Sequence, residues 1–192
     1  YFNGGNKILN SAIGNVETSM DAQWQDFTKG KRFITIADAN TFKVLKKIDF
    51  RPALDKFGRK DLSNSVRPMV LSKDESKIYA QVSFFNGLIE YDLNQDKITR
   101  IGQLPGSSTI PSDRTKWVND SRHHGLSISG DGEKLCVAGT MDNYATIVNR
   151  KTLTAGPLIP AGKPYWATLS PDGKNCVISE SETDVVTVID FA

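Results

Sequence analysis

His123 and His124, the chain's two histidines, stand side by side in SRHHGLSISGDGEKLCVAG, directly before a run that alternates apolar and polar residues. Imidazole nitrogen suits zinc or copper, which makes this pair the candidate metal-ligating set and a transition metal the one cofactor the chain suggests. Two features weigh against that chemistry. Neighbouring side chains on a strand point to opposite faces, and a protein metal site draws on three or four ligands where this sequence has no third histidine. The competing reading makes them two polar residues at a strand entrance, one hydrogen-bonded to a neighbouring loop, with no cofactor at all.

The choice depends on the elements around the pair, and an internal repeat defines these. Segments starting at Arg67, His124 and Tyr165 superimpose when anchored on Ser72, Ser129 and Ser170, with Asp74, Asp131 and Asp172 at a fixed offset in the turn that follows. Each copy shows an alternating strand, the turn, a second strand (KIYAQV, KLCVAG, NCVIS) and a third (GLIEYDL, YATIVNR, VVTVIDF). About four short period-two runs per 40 residues form a propeller blade, and no segment carries the period of a long helix. The fold class is therefore all-β: a β-propeller of four-stranded antiparallel blades. About four blades are expected, complete at 66–104 and 123–162 and partial at 31–50 and 164–192, with a loop insertion at 105–122. Residues 1–30 stay unassigned apart from a strand expected over Lys7 to Ile13. In GDG and SPDG, Gly132 and Gly173 supply the positive φ of a tight turn; SKDES has no such glycine.

The alignment also yields a candidate site. The first strand of a propeller blade lines the central channel, so Arg67, His124 and Tyr165, equivalent in successive blades, are expected to converge on one channel mouth. Val66, His123 and Pro164 precede them. Convergent polar groups in a concavity are the usual form of a binding site. The insertion PGSSTIPSDRTKWVNDSR adds Trp117 as a further candidate, with Lys116 and Arg114 beside it, as a lid or partner contact. Its other reading is a decorated surface loop. Asp113, Asp120 and Asp142 are loop carboxylates without an accompanying catalytic motif, since the chain has no nucleophile elbow, P-loop or dinucleotide fingerprint.

Composition narrows the partners. The 192 residues are 39% hydrophobic and 24% charged, as in ordinary globular proteins. A net charge of +2, with KFGRK as the nearest thing to a basic cluster, argues against nucleic acid. No apolar run approaches the roughly 20 residues of a membrane span, and the start does not resemble a signal peptide. Because the chain begins at Tyr1 rather than Met, removal of an upstream segment is expected.

RFITIADANTFKVLKKI, LSPDGKNCVIS and DVVTVIDFA resemble the YVTN-type, or YncE-like, β-propeller repeat family, over about Lys31 to Ala192. The resemblance implies a ring of about seven blades in an extracellular or periplasmic protein, and carries a fold rather than a reaction. About four blades do not close such a ring, so the expected partners are further blades of the same protein or a second chain. The expected function is a module that binds a small molecule or protein at one mouth of its channel. The alternative is a redox or hydrolytic enzyme with a metal or cofactor at the same mouth.

Cys136 aligns with Tyr79 and Val177, and Cys176 with Ile78 and Leu135. One register apart on consecutive second strands, the thiols leave opposite faces of their blades. They either meet across the interface as a disulfide, which the implied compartment would favour, or point apart as buried apolar groups.

Overall fold

The computed structural model describes residues 1–12, 31–113, 116–117 and 121–192. Its strands are β1 (Lys7–Ala12), β2 (Phe33–Asp38), β3 (Val44–Ile48), β4 (Val66–Leu71), β5 (Lys77–Val82), β6 (Gly87–Asp92) and β7 (Lys97–Gln103). They continue as β8 (Gly125–Ile128), β9 (Lys134–Gly139), β10 (Tyr144–Asn149), β11 (Thr154–Pro160), β12 (Pro164–Leu169), β13 (Asn175–Glu180) and β14 (Val186–Asp190). All pairing is antiparallel and sequential, giving sheets β1-β2-β3, β4-β5-β6-β7, β8-β9-β10-β11 and β12-β13-β14, here blades 1 to 4. A short helix, α1 (Phe50–Lys56), lies between the first two blades and buries Phe50, Ala53 and Leu54. At seven residues it is too short to leave a helical period in the sequence.

Alternation along each strand divides the side chains between two inter-blade cores. On β9, Leu135 and Val137 join Tyr79 and Leu88 between blades 2 and 3, whereas Cys136 and Ala138 join Cys176 and Ile178 between blades 3 and 4. Ile34 and Ile36 of β2 pack with Ile78 and Ala80 of β5 between blades 1 and 2. Between blades 2 and 3 lies a buried carboxylate, Glu90, which accepts from Tyr79 Oη (2.9 Å), Lys77 Nζ (3.1 Å) and Arg100 Nε (3.1 Å). Arg150 of blade 3 donates to the same Tyr79 hydroxyl at 3.1 Å, so the cluster joins the two blades.

The repeated serine and aspartate build the first turn of each blade. In blades 2, 3 and 4 the serine hydroxyl donates to the aspartate two residues on at 2.5 Å. The same oxygen accepts from Lys77 N, Lys134 N or Asn175 N at 2.9–3.0 Å. Gly132 and Gly173 take φ of +79° and +75°, and Glu75 occupies the equivalent position at +58°. The carboxylate of Glu75 accepts from Asn3 N at 2.8 and 2.9 Å, tying this turn to blade 1.

Residues 2–12, expected to be unassigned apart from one strand, are the first-blade copy of this hairpin. Phe2 N donates to Lys7 O at 2.9 Å, as Ser72 N does to Lys77 O, and Gly5 at φ +87° holds the position of Glu75, Gly132 and Gly173. The strand predicted over Lys7 to Ile13 is β1; Ile13 lies outside the described residues. A second marker sets the register of blade 1. Asp38, Asp92 and Asn149 end β2, β6 and β10, and each side-chain oxygen accepts from backbone amides two and three residues on. Thus β2 is a third strand and β1 a second. Among the described residues, blade 1 has no innermost strand and blade 4 no outermost one.

Candidate functional site

Arg67 lies on β4, His124 precedes β8 and Tyr165 lies on β12, and all three line one cavity of about 400 Å³. Leu9, Asn10 and Ser11 of β1 close a further side, with Met69 and Trp166 beside the aligned residues. The β1 contribution was hidden because Phe2 replaces the anchoring serine of the turn. Met69 and Trp166 follow aligned positions and were within reach of the repeat.

His124 stacks on Tyr165 with ring centroids 4.5 Å apart and planes 17° from parallel, and Tyr165 meets the Trp166 ring edge-on at 5.6 Å. Burial, and secondly the charge of Arg67, hold the His124 imidazole down at about 4, so it is neutral at ordinary pH. Arg67 is itself pulled down to about 10 by burial and by the neighbouring charge of Arg32, and its Nε donates to Ser83 Oγ at 2.9 Å. The cavity therefore presents a guanidinium, a neutral imidazole and aromatic faces, with Asn10 and Ser11 as hydrogen-bonding groups. Among the described residues no carboxylate lines it. This suits a ligand with an anionic or carbonyl group attached to a flat or apolar body.

His123 goes elsewhere. It is fully buried, with Nε2 3.3 Å from Tyr144 Oη, and burial drives its pKa down to about 3. Tyr144 Oη donates to Pro105 O at 2.8 Å, which leaves Nε2 of His123 as the donor of the pair. The two rings thus meet different partners, His123 inside blade 3 and His124 at the cavity. Among the described residues no three His, Cys, Asp or Glu side chains gather around one point that a metal could occupy.

Trp117 does not line the cavity. Its Nε1 donates to Pro111 O at 2.7 Å, its ring lies 6.1 Å from Phe84, and the Arg122 guanidinium sits 5.4 Å above it. Asp142 is fastened by Arg122, whose Nε donates to it at 2.7 Å, and by Ser107 N at 2.6 Å; this buried pair anchors the insertion. Asp113 O accepts from Lys116 N at 3.1 Å within the insertion, and Arg114 and Asp120 lie outside the described residues.

Cys136 and Cys176 form a disulfide with Cα atoms 6.3 Å apart. It bridges blades 3 and 4, Cys176 lying opposite Leu169, four residues along β12 from Tyr165.

Solved structures of the same shape place this arrangement. Hydrazine synthase of Kuenenia stuttgartiensis is similar at a TM-score of 0.60 and 16% identity, over 99% of this chain and 57% of that one. The WD40 β-propeller domain of Doa1 is similar at a TM-score of 0.61 and 11% identity, over 100% of this chain and 49% of that one. The fold is a β-propeller. At these identities the likeness concerns fold alone, and the chain spans about half the length of the solved chains it matches. No protein-family description and no curated protein sequence matches it. In blades 2, 3 and 4 the strand at the edge that begins each sheet, β4, β8 or β12, brings a residue to the cavity.

Proposed function

We propose that this chain is part of a YVTN-type β-propeller acting outside the cytoplasm, where it binds a small molecule or protein segment at the channel mouth. One observation carries the reading: side chains from three successive blades, Arg67, His124 and Tyr165, line a single cavity of about 400 Å³. Arg67 and Tyr165 stand on strands and His124 directly before one, which favours a pre-formed binding site. The Cys136–Cys176 bridge supports an oxidising compartment, since such bonds persist there and are rare in reducing cytosol.

The test is a thermal-shift screen of organic acids, nucleotides and acidic peptides, with a transition-metal series included, on the wild-type protein and on Arg67→Met and Tyr165→Ala variants. A compound that raises the melting temperature of wild type and loses at least tenfold in affinity in both variants supports the reading. Binding that both variants retain places the site elsewhere. Stoichiometric metal binding abolished by His124→Ala would replace the reading with a metal-dependent one.

A further inference from the structure

Among the described residues nothing covers the face of blade 4 that corresponds to the covered faces of blades 2 and 3. Seven residues beyond the anchoring serines stand Tyr79, Cys136 and Val177, each directed toward the following blade. Tyr79 is packed into the core between blades 2 and 3, and Cys136 reaches Cys176 of blade 4. Four residues before Asp92, Asn149 and Asp190 stand Leu88, Ala145 and Val186; the first two are buried, whereas Val186 is 60% exposed. Two residues before the same markers, Glu90 is buried and Ile147 packs against the next core, but Val188 is 61% exposed. Trp166 is 63% exposed. The register makes these one patch, because Val177 pairs with Val188 and Ser179 stands between Trp166 and Val186.

The opposite end of the chain carries the complementary face. Ile78, Leu135 and Cys176, six residues after each anchor, point toward the preceding blade, and Ile8 holds that place when Phe2 is the anchor. Ile8 pairs with Ala37, Ala37 with Val44 and Ala12 with Phe33, giving blade 1 an outer face in which these apolar residues alternate with Asn10, Thr35 and Lys47 and on which Val44 is 46% exposed.

We propose that a second copy of this chain docks the outer face of its blade 1 on the outer face of blade 4. The argument is continuity: the same pair of faces is already joined three times within one copy, between blades 1 and 2, 2 and 3, and 3 and 4. Such a contact is head-to-tail, and two copies around the channel axis make it twice and extend the cavity wall beyond Trp166. It stands apart from the ligand-binding reading, which neither requires it nor falls with it.

The existing disulfide supplies the test. Val177 and Ile8′ of a second copy would meet as Cys136 and Cys176 do, within the roughly 7 Å Cα separation that a disulfide spans. In an Ile8→Cys, Val177→Cys variant, mild oxidation is expected to convert most of the protein to covalent species of two or more chains, reversed by reductant. Each single variant should stay at one chain on a non-reducing gel. Light scattering on wild type should give at least twice the chain mass, falling to one chain in Val188→Lys with unchanged circular dichroism. Wild type at one chain at tens of micromolar, with no cross-link in the double variant, overturns the proposal. So does a Val177→Cys thiol shielded from maleimide in a single-chain protein, since the face would then be covered by its own polypeptide. Cross-linking by either single variant to the same extent as the double variant also overturns it.

Discussion

Tyr165 covers the imidazole of His124 from the neighbouring blade, the two rings lying 4.5 Å apart and nearly parallel. Burial of this imidazole, to which the stack contributes, keeps it neutral at ordinary pH and fixes the sign of its pH dependence.

Removing the cover should release the histidine. In Tyr165→Ala the His124 pKa should rise from about 4 toward its ordinary 6.5, because burial is the main cause of its depression. Arg67→Met should raise it by less, by removing the second cause. NMR titration of the two imidazoles checks this, and an unmoved His124 in Tyr165→Ala would contradict the account.

Acid should destabilise the protein earlier than carboxylate titration alone would. The folded pKa values of His123 and His124, about 3 and about 4, lie below the unfolded value of 6.5, so the unfolded chain binds more protons in between. Stability is therefore full above pH 6.5 and declines as pH falls toward 4. Urea midpoints measured from pH 7.5 to 4.5 should decrease, and the His123→Gln, His124→Gln variant should flatten that slope.

Glu90 contributes at lower pH. Burial alone would raise its pKa, but hydrogen bonds from Arg100, Thr99, Tyr79 and Lys77 outweigh burial and hold it at about 2. Its share of stability is present above about pH 4.5 and lost as pH falls through 2. Glu90→Gln leaves Arg100 and Lys77 without their carboxylate and should cost roughly 2–4 kcal/mol at pH 7, measured by denaturant unfolding.

Reduction of Cys136–Cys176 opens a sequence separation of 40 residues. Chain entropy puts the loss at roughly 2–4 kcal/mol. The loss measured between unfolding without and with reductant, and the loss in the Cys136→Ser, Cys176→Ser variant, should agree within error.

The turn glycines are not equivalent to the glutamate that replaces them. Gly132→Ala forces a Cβ onto φ +79° and within 3.1 Å of Lys73 Cβ, at a cost of about 1–2 kcal/mol. Glu75→Gly relieves φ +58° but gives up both bonds to Asn3 N, so its melting temperature should stay near that of wild type.

How much of this was legible in the sequence depended on local chemistry. Ser129 and Asp131 make their turn with their own side chains, so the repeat showed in residue types, and aligning Arg67, His124 and Tyr165 needed only a constant offset. Of blade 1 the strands within 31–50 were legible, but its first hairpin escaped because Phe2 stands where the other blades have serine and its turn carries no Ser–Asp pair. The Glu90 cluster escaped for a different reason: Arg100 and Arg150 reach it from separate blades, and no spacing along the chain encodes that contact. For the cysteines, alternation fixed opposite faces but could not say which face of a blade looks toward its successor.

Between blades 3 and 4 the disulfide also sets a direction. In a row of repeats each unit is held by its neighbours, and an end unit, with one interface, frays first. Covalent attachment to blade 3 withdraws blade 4 from that role and makes blades 3 and 4 one unit in unfolding. Partial unfolding should therefore keep those two blades together, and the His124–Tyr165 stack, which spans them, should be lost with the pair rather than before it.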